Sequence, residues 1–464
     1  MKSLREFIEA IERDPEDQVV HVEKPVNPAD FDCVAILQHL ESQDRRPLVV
    51  FDNPLDVNGD PSGIPVVMNA FATRERCAAA LEHPRDDSDL GLSLEFARRA
   101  TGGLDPIVIG GSEAPVREVV VEADEVDMGT LPIVIHSEGD YAPCLTMTLV
   151  VRDPESGAHN LSFIKAFYDF ENRRRLRVTI QSPDTKRALD WHESRGMDMP
   201  VAAVLGHHPA FFFGTMGFTP YDSDDYKTIG GYVGEPVRLV SSQTLGDDFM
   251  VPADAEIVVE GVIPAGERMI CDPFGDITRQ YQAQTLRPVM NVSAMTRRSD
   301  AMLQDVFAGH RDHMTLGQIP KEGSLHNNLR RQFGELIGSV HLPFSGCGRL
   351  VAYISINKQY EGQAKAVAMA ALRESWTLQY VVVVDNDIDV FNEEDVIWAS
   401  LVYVDPTRDV TVIDNIWTIF TLAMGHRKTM IDATRPHDRL LPDMNRIPRE
   451  AMERVDLDEY LGGL

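Results

Sequence analysis

The chain has 464 residues, which is enough for two or three domains, each with its own core. Its 73 acidic and 44 basic side chains leave a formal charge of −29. Such an excess favours solubility and argues against nucleic acid or an anionic membrane surface as a partner, since both would repel the protein.

The five cysteines are scattered and show no CxxC or other zinc-type spacing; they are Cys33, Cys77, Cys144, Cys271 and Cys347. This usage predicts reduced thiols and a cytoplasmic protein. The first fourteen residues, MKSLREFIEAIERD, have the pattern of an amphipathic helix with interspersed charges and do not resemble a signal peptide. No run of about eighteen apolar residues occurs, so no membrane span is expected.

Residues 1–120 alternate between helical and strand patterns, which predicts a mixed α/β domain. Residues 121–310 carry many short strand patterns at close intervals, typical of a barrel or sandwich; AFFFG at 210–214 is counted among these strands. Helices are expected at about 186–196 and 224–233.

After residue 310 the sequence pattern changes to continuous apolar runs that alternate with helical segments. LVAYISI, QYVVVVD and VTVID predict parallel strands covered on both faces, and a helix is expected at 325–337. The sequence thus predicts an α/β, multidomain protein with domains at 1–120, 121–310 and 311–464.

The segment from Val251 to Asp276 predicts a hairpin, with a strand at 256–260 and a return strand at 268–271. Asp272 and Asp276 flank the turn that closes it. Two carboxyls on one rigid turn can differ in environment, so that one stays ionised while the other carries a proton. The alternative is a turn in which aspartate and glycine serve backbone geometry alone.

Four histidines suggest ligands by their spacing. His207 and His208 are adjacent and point to opposite sides of an extended chain, which favours packing or capping over metal binding. His310 and His313 could share one helical face. The chain has no GxGxxG after a strand, no Walker loop, no GxSxG and no HExxH, so the common dehydrogenase, P-loop and hydrolase classes lack support.

Several blocks of the sequence, taken together and in order, resemble the UbiD family of decarboxylases. They are PADAEIVVEG at 252–261 with PFGD at 273–276, PVAAVLGHHP at 200–209, DYKTIGGYVGEPV at 225–237, GQAK at 362–365, VVVDNDIDV at 382–390 and IDATRP at 431–436. The resemblance implies an N-terminal α/β domain, a central flavin-binding split β-barrel and a C-terminal α/β domain that builds oligomers.

The resemblance also implies prenylated FMN, held through its phosphate by Mn²⁺ and K⁺. Members of this family remove or add CO2 on aromatic, heteroaromatic or α,β-unsaturated acids through a covalent adduct with the cofactor. Loss of CO2 from an sp² carbon leaves a poor carbanion, so the modified flavin supplies the electron sink. The implied partners are a small-molecule carboxylic acid, a flavin prenyltransferase that supplies the cofactor, and a second copy of the chain in a homodimer or larger homo-oligomer.

Carried over by position, the resemblance implies metal ligands at Asn160, Asp225 and a third position near Asp184 or Thr185. Asp224 is the one-residue alternative to Asp225. The cofactor would also contact Lys165, Thr215, Met216 and Lys365, with potassium at the Thr215 and Met216 backbone.

The family's catalytic Glu–Arg–Glu network falls on Cys271, Lys165 and Asp276. Asp276 keeps a carboxyl that can donate a proton, and Lys165 keeps the cation without the planar fork of arginine. Cys271 is a weak hydrogen-bonding group, which Asp272 could replace. The resemblance implies that Asn160, Lys165, Asp225 and Asp276 surround one ring system inside the barrel.

The resemblance and its departures lead to three alternative hypotheses for the function. The first is a prenylated-FMN-dependent decarboxylase of altered specificity. The second is a non-decarboxylating relative that binds flavin or assists assembly. The third is a protein that holds plain FMN or another ligand in the barrel.

Overall fold

The structure is a computed structural model, and it describes residues 2–84, 90–217, 223–271, 273–418, 425–438, 440–441, 445 and 447–461. Within these ranges no helix is both long and apolar enough to cross a bilayer. All five cysteines are buried free thiols.

The N-terminal region is a mixed α/β layer. Its helices and strands are α1 (Leu4–Glu12), β1 (Val19–Val22), α2 (Asp32–Ser42), β2 (Leu48–Phe51), β3 (Val66–Met68), α3 (Arg74–Ala80), α4 (Gly91–Arg99) and β4 (Ile107–Val108). α1 starts at Ser3, which forms a capping box with Glu6, and its apolar residues are buried on one face.

The central region contains most of the strands. Its elements are β5 (Val119–Glu122), β6 (Cys144–Arg152), β7 (His159–Tyr168), β8 (Arg175–Val178), α5 (Pro183–Glu193), β9 (Met199–Leu205), α6 (Pro209–Thr215), α7 (Asp225–Val233), β10 (Arg238–Ser241), β11 (Met250–Pro252), β12 (Ile257–Ile263), β13 (Arg268–Ile270), β14 (Leu286–Arg297) and β15 (Leu303–Gln304). β15 pairs in parallel with β3, so the N-terminal sheet has the order β1-β2-β3-β15.

Six antiparallel strands close into a barrel in the order β6-β7-β8-β14-β12-β9, with β9 pairing back to β6. The α/β multidomain class with a central barrel is therefore confirmed. A barrel of so few strands has room only for side chains. Its interior is filled by one aliphatic cluster drawn from all six strands, including Met147, Ile164, Val201, Val259 and Met290.

The expectation of a ring system inside the barrel is therefore wrong. Side chains on a strand alternate between two faces, and Ile164 and Ala166 of β7 point inward to the aliphatic cluster. Lys165 lies between them and faces outward. A ligand that contacts Lys165 must lie on the outer face of the barrel.

Two local predictions in this region are wrong. AFFFG at 210–214 is helix α6, because Pro209 at its first position and His208 as its cap start a helix whose three phenylalanines are all buried. A helix buried all round has no apolar periodicity to distinguish it from a strand. The predicted hairpin also does not form, since β13 pairs with β14 and not with β12.

The C-terminal region is a five-stranded sheet with helices. Its elements are α8 (Arg311–Phe333), β16 (Ile337–His341), β17 (Val351–Ile356), α9 (Gln363–Glu374), β18 (Tyr380–Asp385), α10 (Glu393–Val402), β19 (Val410–Ile413), β20 (Lys428–Asp432), α11 (Arg449–Arg454) and α12 (Leu457–Leu461). The sheet order is β16-β17-β18-β20-β19, with β17, β18 and β20 parallel. The prediction that β19 is parallel is wrong, because it is an antiparallel edge strand.

Candidate active site

One pair of predicted site residues meets at the mouth of the barrel. Asn160, the second residue of β7, donates from Nδ2 to Oδ2 of Asp225 at 3.1 Å. The same oxygen accepts the backbone N–H of Leu161 at 2.7 Å. Asp225 opens α7, and its carboxylate is buried, so these two donors fix its position. Asn160 and Asp225 therefore form one rigid oxygen-rich unit.

Asp184 and Thr185 approach Asn160 from α5. Thr185 donates from its hydroxyl to Oδ1 of Asn160 at 3.0 Å. Asp184 lines the same small cavity of about 10 Å³ as Asn160, together with Asp153 and His159. The sequence leaves Asp184 and Thr185 as alternatives. In the structure both lie at the mouth of the barrel, and Thr185 contacts Asn160 directly.

Asp224 has a different role from Asp225. Its Oδ2 accepts from Nδ1 of His159 at 2.9 Å and from the His159 backbone at 3.0 Å. Burial acts to raise the pKa of Asp224, but these hydrogen bonds outweigh it and lower the pKa. Asp225 is therefore the acid that contacts Asn160, and Asp224 holds the neighbouring histidine.

A second pair lies farther along β7. Lys165 is buried, and its Nζ donates to the carbonyl oxygen of Gly275 at 2.6 Å. The ammonium also lies 5.0 Å from the centre of the Phe274 ring. This hydrogen bond joins Lys165 to the loop that carries Asp276, the residue that follows Gly275.

Asp276 is held on this loop as an ionised carboxylate. Its Oδ1 accepts the Ile277 backbone N–H at 2.7 Å, and its Oδ2 accepts from Nε2 of Gln282. Burial acts to raise the pKa of Asp276, but the charge of Lys165, then that of His313 and the two hydrogen bonds, outweigh it and lower the pKa. The carboxylate must therefore gain a proton before it can donate one.

The loop geometry depends on two glycines. A Cβ on Gly275 would lie 2.7 Å from Oγ of Ser137, and a Cβ on Gly309 would lie 2.9 Å from the Asp276 carbonyl oxygen. Asp140 accepts the Gly275 N–H at 2.7 Å and so anchors the same turn. The carboxyl of Asp276 is positioned by close backbone packing that larger residues would not allow.

Cys271 lies in a small apolar cluster with Ala142, Cys144, Phe167 and Phe274. Its Sγ makes a long contact of 3.8 Å with the Arg177 carbonyl oxygen. A thiol in these surroundings cannot share a proton with Asp276 as a carboxylate would. Asp272, its suggested replacement, lies outside the described residues.

The remaining predicted cofactor residues lie on helices α6 and α9. Thr215 and Met216 end α6, and the Thr215 hydroxyl donates to the Phe212 carbonyl at 2.7 Å. Lys365 is half-buried in the first turn of α9, in the C-terminal region. Among the described residues it has no hydrogen bond or ion pair with the barrel.

Several residues beside the Lys165–Asp276 pair were missed from the sequence. His136 bonds through Nε2 to Asp305 at 2.7 Å, and Asp305 accepts from the Thr146 hydroxyl at 2.6 Å. Thr146 pairs directly with Lys165 across β6 and β7. These residues carry no motif, because strand pairing and a long connection bring them together.

His310 and His313 do not share a function or a face. His310 caps α8, stacks on Phe307 and pairs with Glu41 at 2.8 Å. His313 instead lies near Lys165 and Asp276, and burial, then the charges of Lys165 and Arg349, hold its pKa well below the usual range. The predicted role of His208 as a helix cap is confirmed, since it accepts the Ala210 N–H at 3.1 Å.

The two pairs are separated along one strand. Asn160 and Lys165 are five residues apart on β7, or about 17 Å at the usual rise. The mouth carries Asp153, Asp184 and Asp225, so a bare phosphate there would be repelled. Oxygen donors of this kind suit a hard divalent cation, which would offset the phosphate charge. These residues could contribute single oxygen ligands to such an ion, although no group of three His, Cys, Asp or Glu that could hold a metal exists in the described part of the chain.

Comparisons with known proteins identify the family of the chain. The Rift-related domain model of 3-octaprenyl-4-hydroxybenzoate carboxy-lyase (UbiD) matches residues 108–311, its C-terminal domain model matches 314–433, and its N-terminal domain model matches 12–92. The UbiD-class enzyme HmfF from Pelotomaculum thermopropionicum, in complex with FMN, is 30% identical, with 99% of this chain and 100% of that chain covered and a TM-score of 0.88.

Two further structures are similar over their whole length. An evolved dimeric form of the same HmfF, in complex with prenylated FMN (prFMN), is 30% identical, covers 99% of this chain and 100% of its own, and has a TM-score of 0.86. Vanillic acid decarboxylase from Sedimentibacter hydroxybenzoicus, in its closed form, is 25% identical, with 99% of both chains covered and a TM-score of 0.83. With matches to all three domain models and across nearly the full length of these enzymes, the chain belongs to the UbiD family of carboxy-lyases.

Proposed function

We propose that this protein is a prFMN-dependent decarboxylase of an aromatic, heteroaromatic or α,β-unsaturated acid. The observation that carries the proposal is the outward-facing pair of Lys165 and Asp276, joined through the Gly275 carbonyl at 2.6 Å. The relatives' complexes with FMN and prFMN support the cofactor. When bound, the modified flavin supplies the electron sink for the loss of CO2.

The protein's own residues divide the remaining work. Lys165 orients the substrate carboxylate by its charge. The bond between the substrate carbon and the carboxylate carbon breaks, CO2 leaves, and the electron pair stays on the substrate. Asp276, protonated beforehand from solvent, then forms the new C–H bond and is left ionised. Buried surroundings on both sides of Lys165 exclude water from this step.

The residues at the mouth of the barrel would hold the phosphate of the cofactor. Asn160, Asp225 and Asp184 offer oxygen ligands for Mn²⁺, with Thr185 orienting Asn160. Thr215 and Met216 end α6, where the helix carbonyls carry partial negative charge that favours K⁺. Lys365, in the first turn of α9, is a further residue that would contact the phosphate. We assign domains at 1–120, 121–310 and 311–464, with a homodimer or larger assembly as the active form.

The test is to produce the protein together with a flavin prenyltransferase and to identify the bound flavin by mass spectrometry and absorption. Release of CO2 is then measured across a panel of aromatic and unsaturated acids. Wild-type protein should release CO2 from at least one acid, and Asp276→Asn should release at least 100-fold less. The matched control is Asp198→Asn, a surface change in the loop before β9.

A second function is favoured by one observation, the burial of Cys271 in an apolar cluster where a network carboxylate is expected. In this case the protein binds flavin without decarboxylating. A protein that retains modified flavin, but releases no CO2 from any acid of the panel, would establish this second function and remove the first.

A further inference from the structure

The loop that carries Asp276 is held by charged side chains at both backbone groups of Gly275. The Gly275 N–H donates to Oδ1 of Asp140 at 2.7 Å, and the Gly275 carbonyl accepts from Nζ of Lys165 at 2.6 Å. A carboxylate and an ammonium thus bind the residue that directly precedes Asp276. Hydrogen bonds to charged groups are stronger than neutral ones, so both contacts restrain the direction in which the Asp276 side chain leaves the loop.

The contacts of Asp140 require a carboxylate. Its Oδ2 accepts the backbone N–H groups of His136 at 3.2 Å and of Ser137 at 3.0 Å, while its Oδ1 accepts from Gly275. Asp140 is half-buried and forms no ion pair with any residue that the structure describes. An asparagine of the same shape has one acceptor oxygen and one NH2 group, so it would present a donor to one of these two sets of N–H groups.

This carboxylate belongs to residues 136–141, a segment that runs along the same loop. The Tyr141 N–H donates to the Pro273 carbonyl at 2.8 Å, and the Gly139 N–H donates to the Tyr281 hydroxyl at 2.9 Å. These two contacts lie on either side of the carboxylate contact along the segment. The carboxylate contact is the one of the three that involves a charge, so it is expected to be the strongest.

His136 fixes the segment to the core of the protein. Its Nε2 lies 2.7 Å from Oδ2 of Asp305, and both side chains are buried. Oδ1 of Asp305 accepts from the Thr146 hydroxyl at 2.6 Å, and Thr146 pairs with Lys165 across β6 and β7. The contacts therefore form a closed ring that starts and ends at Lys165 and includes Asp140 and the loop. Loss of one contact in such a ring loosens the loop while its other supports remain.

We infer that Asp140 is a positioning residue for the proton transfer by Asp276. By holding the Gly275 N–H, it keeps the Asp276 carboxyl directed at the site where the proton is delivered after CO2 leaves. The inference rests on the proposed function, because it assigns a role in that reaction. Asp140 acts through Gly275 and donates no proton, so it should affect the chemical step and not the binding of the acid.

The kinetic test uses flavin-loaded Asp140→Asn, with Asp140→Glu as the conservative variant. In Asp140→Asn, kcat should fall about tenfold and KM should change less than about twofold, because the acid still binds at Lys165. Asp140→Glu keeps two acceptor oxygens and should retain more of kcat. Burial raises the pKa of Asp276 and the Lys165 charge lowers it, so a looser contact between them should move the falling limb of kcat to higher pH.

Amide hydrogen exchange measures the position of the loop without turnover. Peptides that contain Gly275 should exchange at least about tenfold faster in Asp140→Asn than in wild type, because a hydrogen bond to a charged group is lost. The matched control is Asp389→Asn, at an exposed loop aspartate that accepts the Phe391 N–H at 2.9 Å. It should leave kcat, the pH profile and exchange at Gly275 unchanged.

Wild-type kcat and an unmoved pH profile in Asp140→Asn would overturn the inference. A fall in kcat without faster exchange at Gly275 would also overturn it, since the loop would not have been released, and so would an equal fall in Asp389→Asn. If no acid releases CO2, the proposed function fails on its own and exchange decides the placement. Unchanged exchange then overturns the role of Asp140, and faster exchange supports it.

Discussion

The ammonium of Lys165 lies 2.6 Å from the carbonyl oxygen of Gly275, the residue that precedes Asp276. One hydrogen bond therefore joins the outer face of the barrel to the loop that carries the candidate proton donor. Its donor is a buried charge, so the bond is strong and its loss is costly. Lys165 therefore affects both the position of Asp276 and the ionisation of its carboxyl.

Lys165→Met is expected to lower kcat/KM by at least 100-fold, because it removes both the cation and the bond to Gly275. Lys165→Arg keeps the charge and should retain more activity than Lys165→Met. Steady-state CO2 release measures both. Lys227→Met, which removes an exposed lysine paired with Asp105, serves as the control. Comparable activity in Lys165→Met and wild type would contradict the role of Lys165.

Gln282→Met is expected to shift the pH dependence of decarboxylation. Gln282 donates to Asp276 and helps to lower the pKa of that carboxyl, so its loss raises the pKa. In the proposed mechanism, activity requires protonated Asp276 and falls as pH rises above its pKa. The falling limb of the kcat/KM profile should therefore move to higher pH in the variant. An unmoved profile would show that Asp276 is not the group that titrates.

Comparing Gly309→Ala with Gly266→Ala separates the effect of displacing the Asp276 loop from the effect of backbone strain. Gly309 has φ +74°, and an added Cβ would lie 2.9 Å from the Asp276 carbonyl oxygen. Gly266 has the same φ of +74° with no atom within 4 Å of an added Cβ. Both alanine variants should lose about 1 kcal/mol of stability. Only Gly309→Ala should also lose activity at a temperature where both proteins are folded; equal activity in the two variants would contradict the placement of Asp276.

Glu322 tests the contact between the N-terminal region and α8. It is fully buried and pairs with Arg74 at 2.8 Å and with His341 at 2.9 Å. Burial acts to raise its pKa, but these partners lower it to about 2. A depressed folded-state pKa stabilises the protein above the unfolded-state value of about 4.3, and that stability is lost as pH falls toward 2.

Glu322→Gln should therefore cost about 3–5 kcal/mol near neutral pH, because Arg74 loses its counter-charge. Urea unfolding at a series of pH values measures the cost, which should shrink below about pH 4. Glu453→Gln, at an exposed pair with Arg449, should change little at any pH. A cost for Glu322→Gln that does not vary with pH would contradict the charged state of Glu322.

Much of the fold was predictable because local patterns and the global structure agree. Continuous apolar runs at Val351–Ile356 and Tyr380–Asp385 are parallel strands, as predicted. The failures have physical causes. Helix α6 is buried on all sides and lacks periodicity, and β13 pairs across a long connection that no local pattern encodes.

The candidate site was predictable only in part for the same reason. Motif positions identified Asn160, Lys165, Asp225 and Asp276, but not their arrangement as two pairs on opposite faces of β7. Strand alternation applied to Ile164 and Ala166 would have shown that Lys165 faces outward.

The most direct test is to run the flavin-loaded protein in D2O with the acid it accepts and to measure released CO2 and deuterium in the product. Asp276 exchanges its proton with solvent before it donates, so wild type should release one CO2 and place one deuterium at the vacated carbon per turnover. Asp276→Asn should lose both signals by at least 100-fold. Product formed without CO2, or equal deuteration by the Asn variant, would contradict the account.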